Sequence, residues 1–259
     1  MTNISRNIKK ETRGYMLLIL LGMLAILALL KMNVINQNEE YHMFSDGYTL
    51  FSIPNFWNVI SNVPIAVVGF IGLIKLKFNF KSQLQYFILF SGIILVAMGS
   101  SFYHMNPNSQ SLIWDRLPMT VVFMTICSII ISEFIDDNAG RKILIPILIV
   151  GLLSVVYWSI TNDLRPYVFV QFYPLLVIPI VLVCFKSRFN TKVYYWLLLI
   201  IYGLAKILEQ FDEGVYLELE IISGHSLKHV CSAIGLAFLL IIYQKRKKGI
   251  VLETKELLI

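Results

Sequence analysis

Eight apolar runs, each close to the length of a membrane-crossing helix, constrain this chain more than any single motif in it. An α-helix needs about twenty apolar residues to cross the roughly 30 Å of a bilayer's hydrocarbon. The runs occupy residues 15–30, 59–74, 86–103, 117–131, 143–158, 167–185, 193–208 and 229–243. Hydrocarbon offers no water to an unpaired backbone group, so runs of this length read as helices, whereas barrel strands are about ten residues long and alternate. The fold class predicted is all-α, a polytopic membrane helix bundle with short connections. Composition agrees: 57% of the 259 residues are hydrophobic and 15% charged, more apolar surface than a water-soluble domain can hide. The first run follows a basic stretch but lacks a small-residue cleavage pattern before Lys31, Met32 and Asn33, and reads as a retained helix.

Charge threads the chain through the membrane. Basic clusters fall at Arg6, Lys9, Lys10 and Arg13, at Lys75, Lys77 and Lys81, at Arg141 and Lys142, at Lys186, Arg188 and Lys192, and at Lys245 to Lys248, which is every second connection. Cytoplasmic loops collect Lys and Arg, so both termini are expected in the cytoplasm. The net charge of +6 follows from these clusters. It reads as membrane topology, and nucleic acid is not expected as a partner, since no aromatic-basic interleaving accompanies the charge. Cys127, Cys184 and Cys231 show no CxxC spacing and read as small packing residues.

The opposite face gathers a different set: Glu39, Glu40, His42 and Asp46; His104 and Asp115; Asn162 and Asp163; Asp212, Glu213, Glu218, Glu220, His225 and His229. Every histidine in the protein maps to this side, and ionisable groups collected at one membrane depth point to a functional site. "ISGHSLKHV" puts His225 and His229 four residues apart, on one face of a helix, the spacing zinc helices use. His104, in "GSSFYHMNPN" (99–108), supplies a third imidazole, and three imidazoles with an open position describe a catalytic Zn2+ site. Asp115, at the start of the fourth run, is placed to take a proton from water, and Ser100, one helical turn before His104, to donate to an oxyanion or orient that water.

Ser-x3-His at the end of one helix, an Asp at the start of the next and His-x3-His at the last make this chain resemble the alkaline ceramidase family. That family lies within a wider group of seven-helix membrane hydrolases that includes the progestin and adipoQ receptors. The stretch "NFWNVISN" (55–62) adds to the likeness, which covers about residues 41–240. The resemblance implies zinc held by His104, His225 and His229, Asp115 as general base and then acid, and Ser100 stabilising the oxyanion. The implied reaction is hydrolysis of a ceramide-like lipid amide, within the membrane, to a long-chain base and a fatty acid. Two departures stand out. Animal ceramidases carry an acidic calcium loop with Glu where this chain has Asn55, and the layout of Glu39, Glu40 and Asp46 differs, which puts Ca2+ in doubt. The run at 15–30 also adds an extra N-terminal transmembrane helix to the seven-helix core.

The expected organisation is a cytoplasmic basic N-terminus with the extra helix (1–35), a ceramidase-like domain (36–244) and a basic cytoplasmic tail (245–259), with the active site on the non-cytoplasmic face. A lipid receptor of the same architecture remains an alternative at this point. A proton- or metal-coupled transporter ranks lower, because its ionisable groups belong at the midplane. His42 and Asp46 read as solvated loop residues, Lys206 and Glu209 as a pair neutralised inside the bundle, and Phe102, Tyr103, Trp114, Trp158, Tyr167 and Tyr216 mostly as an interfacial aromatic belt.

Overall fold

The computed structural model describes the backbone of residues 2–76 and 80–256 and the side chains of residues 8–76 and 83–249. Lys77, the side chains of Arg6 and Lys81, and the tail's side chains from residue 250 lie outside the described residues. The described chain is a helix bundle: α1 (Thr2–Lys31), α2 (Phe56–Ile60), α3 (Val63–Lys75), α4 (Phe80–Met105), α5 (Ser109–Phe134), α6 (Asp137–Thr161), α7 (Arg165–Cys184), α8 (Lys192–Gln210), α9 (Asp212–Leu219) and α10 (Gly224–Glu256), with a 3-10 turn at Glu39–His42. Eight segments are long and apolar enough to cross a membrane, α2 and α3 together forming one of them. This is an integral membrane protein.

The second apolar run is broken where a continuous helix was expected. Pro64, in the first turn of α3, has no N–H to give and would clash with the carbonyl four residues back, so α2 stops at Ile60 and the chain turns through Ser61 and Asn62. Helices also start earlier than their apolar runs, and two of these early starts bear on the site. Asn108 caps α5 by accepting from the Gln110 and Ser111 amides at 2.9 Å each, and the Ser111 hydroxyl accepts from the Asn108 amide, so Asp115 lies inside α5 instead of at its start. α10 begins at Gly224, which takes both His225 and His229 into the helix.

The core in the half of the bundle away from the histidines is apolar and close-packed, with Leu89, Phe90 and Ile93 of α4 against Ile129 of α5, Leu182 of α7 and Leu239 of α10. Lipid-facing surfaces carry exposed apolar side chains, as a bundle without water around it requires. α1 is the extreme case and packs chiefly on α7, with the Tyr15 and Phe185 rings edge to face at 5.0 Å and Arg165 Nη1 donating to the Met32 carbonyl at 2.7 Å.

The belt reading holds for Phe102 and Trp114, which are exposed, and fails for Tyr103, Trp158 and Tyr167, which are buried together. For Trp158 and Tyr167 the reason is Arg116, whose guanidinium lies 4.3 Å from the first ring centroid and 4.8 Å from the second; Tyr103 is turned inward to His42, 2.9 Å from its hydroxyl. Tyr216 on α9 is half-buried.

Candidate functional site

Three buried histidines converge where α4 ends and α10 begins. His104 comes from the last turn of α4; His225 and His229, one turn apart, come from the first two turns of α10. Their ring centroids form a nearly equilateral triangle with sides of 5.0, 5.1 and 5.2 Å, and one ligand atom from each lies within 4.8 Å of the others. Among the described residues this is the one convergence of three or more His, Cys, Asp or Glu side chains. His104 Nδ1 and His225 Nε2 are buried without a hydrogen-bond partner. Leaving such an atom unsatisfied costs about 1–3 kcal/mol, so two in one cluster ask for an electron-pair acceptor between them.

The third ring is oriented from behind. Ser61 Oγ donates to the Asn58 carbonyl at 3.3 Å and therefore accepts the Nδ1–H of His229 at 2.8 Å, which leaves the Nε2 lone pair of His229 free. A donor set of three neutral, buried imidazoles with unfilled lone pairs fits a zinc ion.

The histidines are held by acids at the α10 start. Asp46 is fully buried; its carboxylate accepts from Asn58 Nδ2, from the Ser223 amide at 2.9 Å and from Ser226 Oγ at 2.8 Å. Asp212 accepts from the His225 amide at 2.6 Å and from the Ser45 amide at 3.1 Å. Both acids sit at the amide-rich, positive end of a helix, and each such bond to a charged group contributes about 1.5–3 kcal/mol. Phe44, carried on the same loop, lies edge-on to His104 and His225 at 4.7 Å from each.

Asp46 is thus a buried clamp and not the solvated residue expected from its loop. His42 is also mostly shielded, hydrogen-bonded to Tyr103 OH at 2.9 Å and Ser109 Oγ at 3.2 Å. Burial lowers its pKa below the usual range, against the pull of Glu39, so it enters these bonds neutral at pH 7.

Ser100 and Asp115 face one another across the α4–α5 contact, the serine hydroxyl beside the carboxylate. Gly99 makes this possible: a Cβ there would stand 2.0 Å from the Trp114 carbonyl oxygen, so only glycine lets α4 lie against the α5 backbone at this level. Ser100, Asp115 and His229 line one cavity of about 340 Å3 that runs inward between apolar side chains such as Val122, Ile126, Ile178 and Leu199. The structure therefore brings all five sequence-derived residues together.

Lys206 and Glu209 pair as expected, at 2.6 Å, but Lys228 joins them, its Nζ 2.5 Å from the other Glu209 oxygen. Lys228 was not singled out in the sequence, where it stands one residue before the last apolar run; its position between His225 and His229 was the signal that could have found it. Ser61, Asn58 and Asn55, whose Nδ2 donates to the His104 carbonyl at 2.8 Å, all fall in the "NFWNVISN" stretch that carried the family likeness.

Fold and site together define a polytopic membrane protein with a buried three-histidine centre at the mouth of an apolar cavity. The family model described as Ceramidase matches residues 39–249, and the chain belongs to the ceramidase family. Comparison with curated proteins returns no match. Family membership makes this a membrane hydrolase of ceramide-type lipid amides, with α1 lying outside the matched region.

Proposed function

We propose that the protein is a zinc-dependent amidase that releases a long-chain base and a fatty acid, using His104, His225 and His229 as metal ligands. The observation that carries the reading is the buried imidazole triangle with two unsatisfied ring nitrogens, beside Ser100 and Asp115 on the same cavity. When bound, zinc supplies a Lewis acid for the amide carbonyl and acidifies water toward a pKa of about 7.

The chain's own groups do the rest. The apolar cavity takes an acyl chain and leaves the amide at its polar mouth, beside Ser100 and Asp115. Asp115 accepts a proton from the water whose oxygen attacks the carbonyl carbon. Protonation weakens Asp115 as an acceptor, which releases the Ser100 hydroxyl to donate to the carbonyl oxygen as negative charge builds there. Asp115 then returns the proton to the amide nitrogen as the C–N bond breaks, so the base leaves as a neutral amine.

The basic clusters at every second connection support an orientation with both termini cytoplasmic and the site facing outward. The division into residues 1–35, 36–244 and 245–259 goes with this reading.

The test is elemental analysis and ceramide hydrolysis on the same detergent-purified samples. Near-stoichiometric zinc is expected in the wild type and in Asp115→Asn, with hydrolysis lowered about 10²–10⁴-fold in the latter. The His225→Ala,His229→Ala double variant should lose both metal and hydrolysis. A folded wild type that binds no metal under zinc-replete conditions sinks the proposal.

A further inference from the structure

The cavity lining carries more positive charge than a neutral lipid needs. Three cations line it, Lys206, Lys228 and Arg116, against two carboxylates, Asp115 and Glu209. Both lysines share the single Glu209, to which Tyr41 OH also donates at 3.4 Å.

Arg116 is the more telling residue. It is 6% exposed, its Nη2 donates to Gln37 Oε1 at 2.7 Å, and its Nη1 is buried with no hydrogen-bond partner. No carboxylate among the described residues forms an ion pair with it. Three aromatic rings, of Tyr41, Trp158 and Tyr167, hold the guanidinium in place without neutralising it. A buried charge with no carboxylate in ion-pair contact is costly, and a planar guanidinium with a free N–H suits an oxyanion. The charge surplus and the orphaned donor are separate observations that meet in one cavity-lining residue, and they ask for the same thing.

We infer that the lipid amide carries an anionic headgroup, a carboxylate, sulfonate or phosphate near the amide, and that Arg116 with Lys228 recognises it. The inference rests on the amidase reading for the amide and on the cavity's charge for the headgroup. The scissile amide sits at Ser100 and Asp115, and the next residue after Asp115 reaches the headgroup oxygens.

Two probes matched in chain and amide separate the possibilities: N-palmitoylserine, which is anionic, and N-palmitoylserinol, in which a hydroxymethyl replaces the carboxylate. Binding is followed by thermal shift on chelator-treated wild-type protein, and hydrolysis on the zinc-loaded protein, with sodium palmitate as a third ligand. The anionic amide should bind, and be cleaved with kcat/KM, about tenfold or more better than the neutral one, the size of one charge-assisted hydrogen bond. Arg116→Gln should erase the preference. Lys228→Gln should reduce it, and serves if Arg116→Gln is not recovered folded. Equal binding and cleavage of the two amides overturns the headgroup assignment while leaving the amidase standing. A binding preference without cleavage of either amide or of ceramide keeps the anion site and removes the amidase. An Arg116-dependent response to palmitate alone assigns the cations to the fatty-acid product and overturns the proposal.

Discussion

The histidine triad depends on a residue that never touches its open lone pairs. Ser61 fixes which nitrogen of His229 bears the proton, because its own hydrogen is directed to the Asn58 carbonyl. Removing that hydroxyl frees the ring to adopt the other tautomer or to rotate, and supports of this kind affect metal affinity about 10–100-fold. Ser61→Ala is therefore expected to weaken zinc binding by that factor with little change in thermal stability, measured by competition with a chromogenic chelator. Unchanged zinc affinity would mean that ring orientation comes from packing alone. At this scale the sequence exposed the three histidines readily, since an i, i+4 histidine pair and a third histidine on the same face survive without three-dimensional information. Ser61 was less legible: a serine beside Pro64 reads as an ordinary helix interruption until the break is seen to place it under His229. Asp46 was misread for the same reason, because nothing local shows that a loop carboxylate will meet the amide-rich start of a helix from the far end of the chain.

Helix ends and helix contacts decide whether those residues meet. α4 approaches α5 closely enough for Ser100 to face Asp115 because Gly99 has no side chain, and α10 begins against the end of α8 because Gly224 has none, where a Cβ would come within 2.1 Å of the Leu208 carbonyl oxygen. Neither obstacle is a flexible side-chain tip; both are backbone, which cannot step aside. Gly99→Ala should force the two helices apart, lowering thermal stability by about 1–3 kcal/mol as overpacked contacts do. It should also reduce hydrolysis by more than the loss of folded protein explains, because Ser100 and Asp115 move apart. Matched unfolding curves and specific activities check this; activity that tracks folded fraction would place the catalytic pair elsewhere. The eight spans themselves were readable, since length and apolarity are the property the membrane selects. Their ends were not. The segment from Ser109 to Arg116 extends α5 beyond its apolar run because Asn108 caps the helix and Ser111, Leu112 and Arg116 are buried in the bundle. The same burial draws Tyr103, Trp158 and Tyr167 inward from an expected interfacial belt.

The molecule as a whole separates two chemistries by membrane face. At one end lie the histidines, the cationic cavity wall and the acidic loop before α2; at the other, Glu133 is buried against Ser187 and Tyr195 while Arg246 pairs with Asp137, a polar cluster with no cavity role. Lys and Arg concentrate on the second face, where translocation is resisted by positive charge, so the hydrolytic face is expected outside the cytoplasm. In that orientation scissile amides of outward-leaflet lipids would lie within reach, and the released fatty acid would have a path back into the apolar bundle or the leaflet. The orientation is open to a direct test. Glu213, on exposed α9, and Lys248, exposed near the end of α10, stand on opposite sides in this scheme. In a chain whose Cys127, Cys184 and Cys231 are replaced by Ala, the Glu213→Cys variant should react with a membrane-impermeant maleimide on intact cells, and the Lys248→Cys variant only after lysis. The reverse pattern would turn the site toward the cytoplasm, and with it the pool of lipid it can draw on. Labelling of both on intact cells would contradict the threading altogether, because α10 is one uninterrupted helix between the His229 level and Lys248 and must cross the hydrocarbon once.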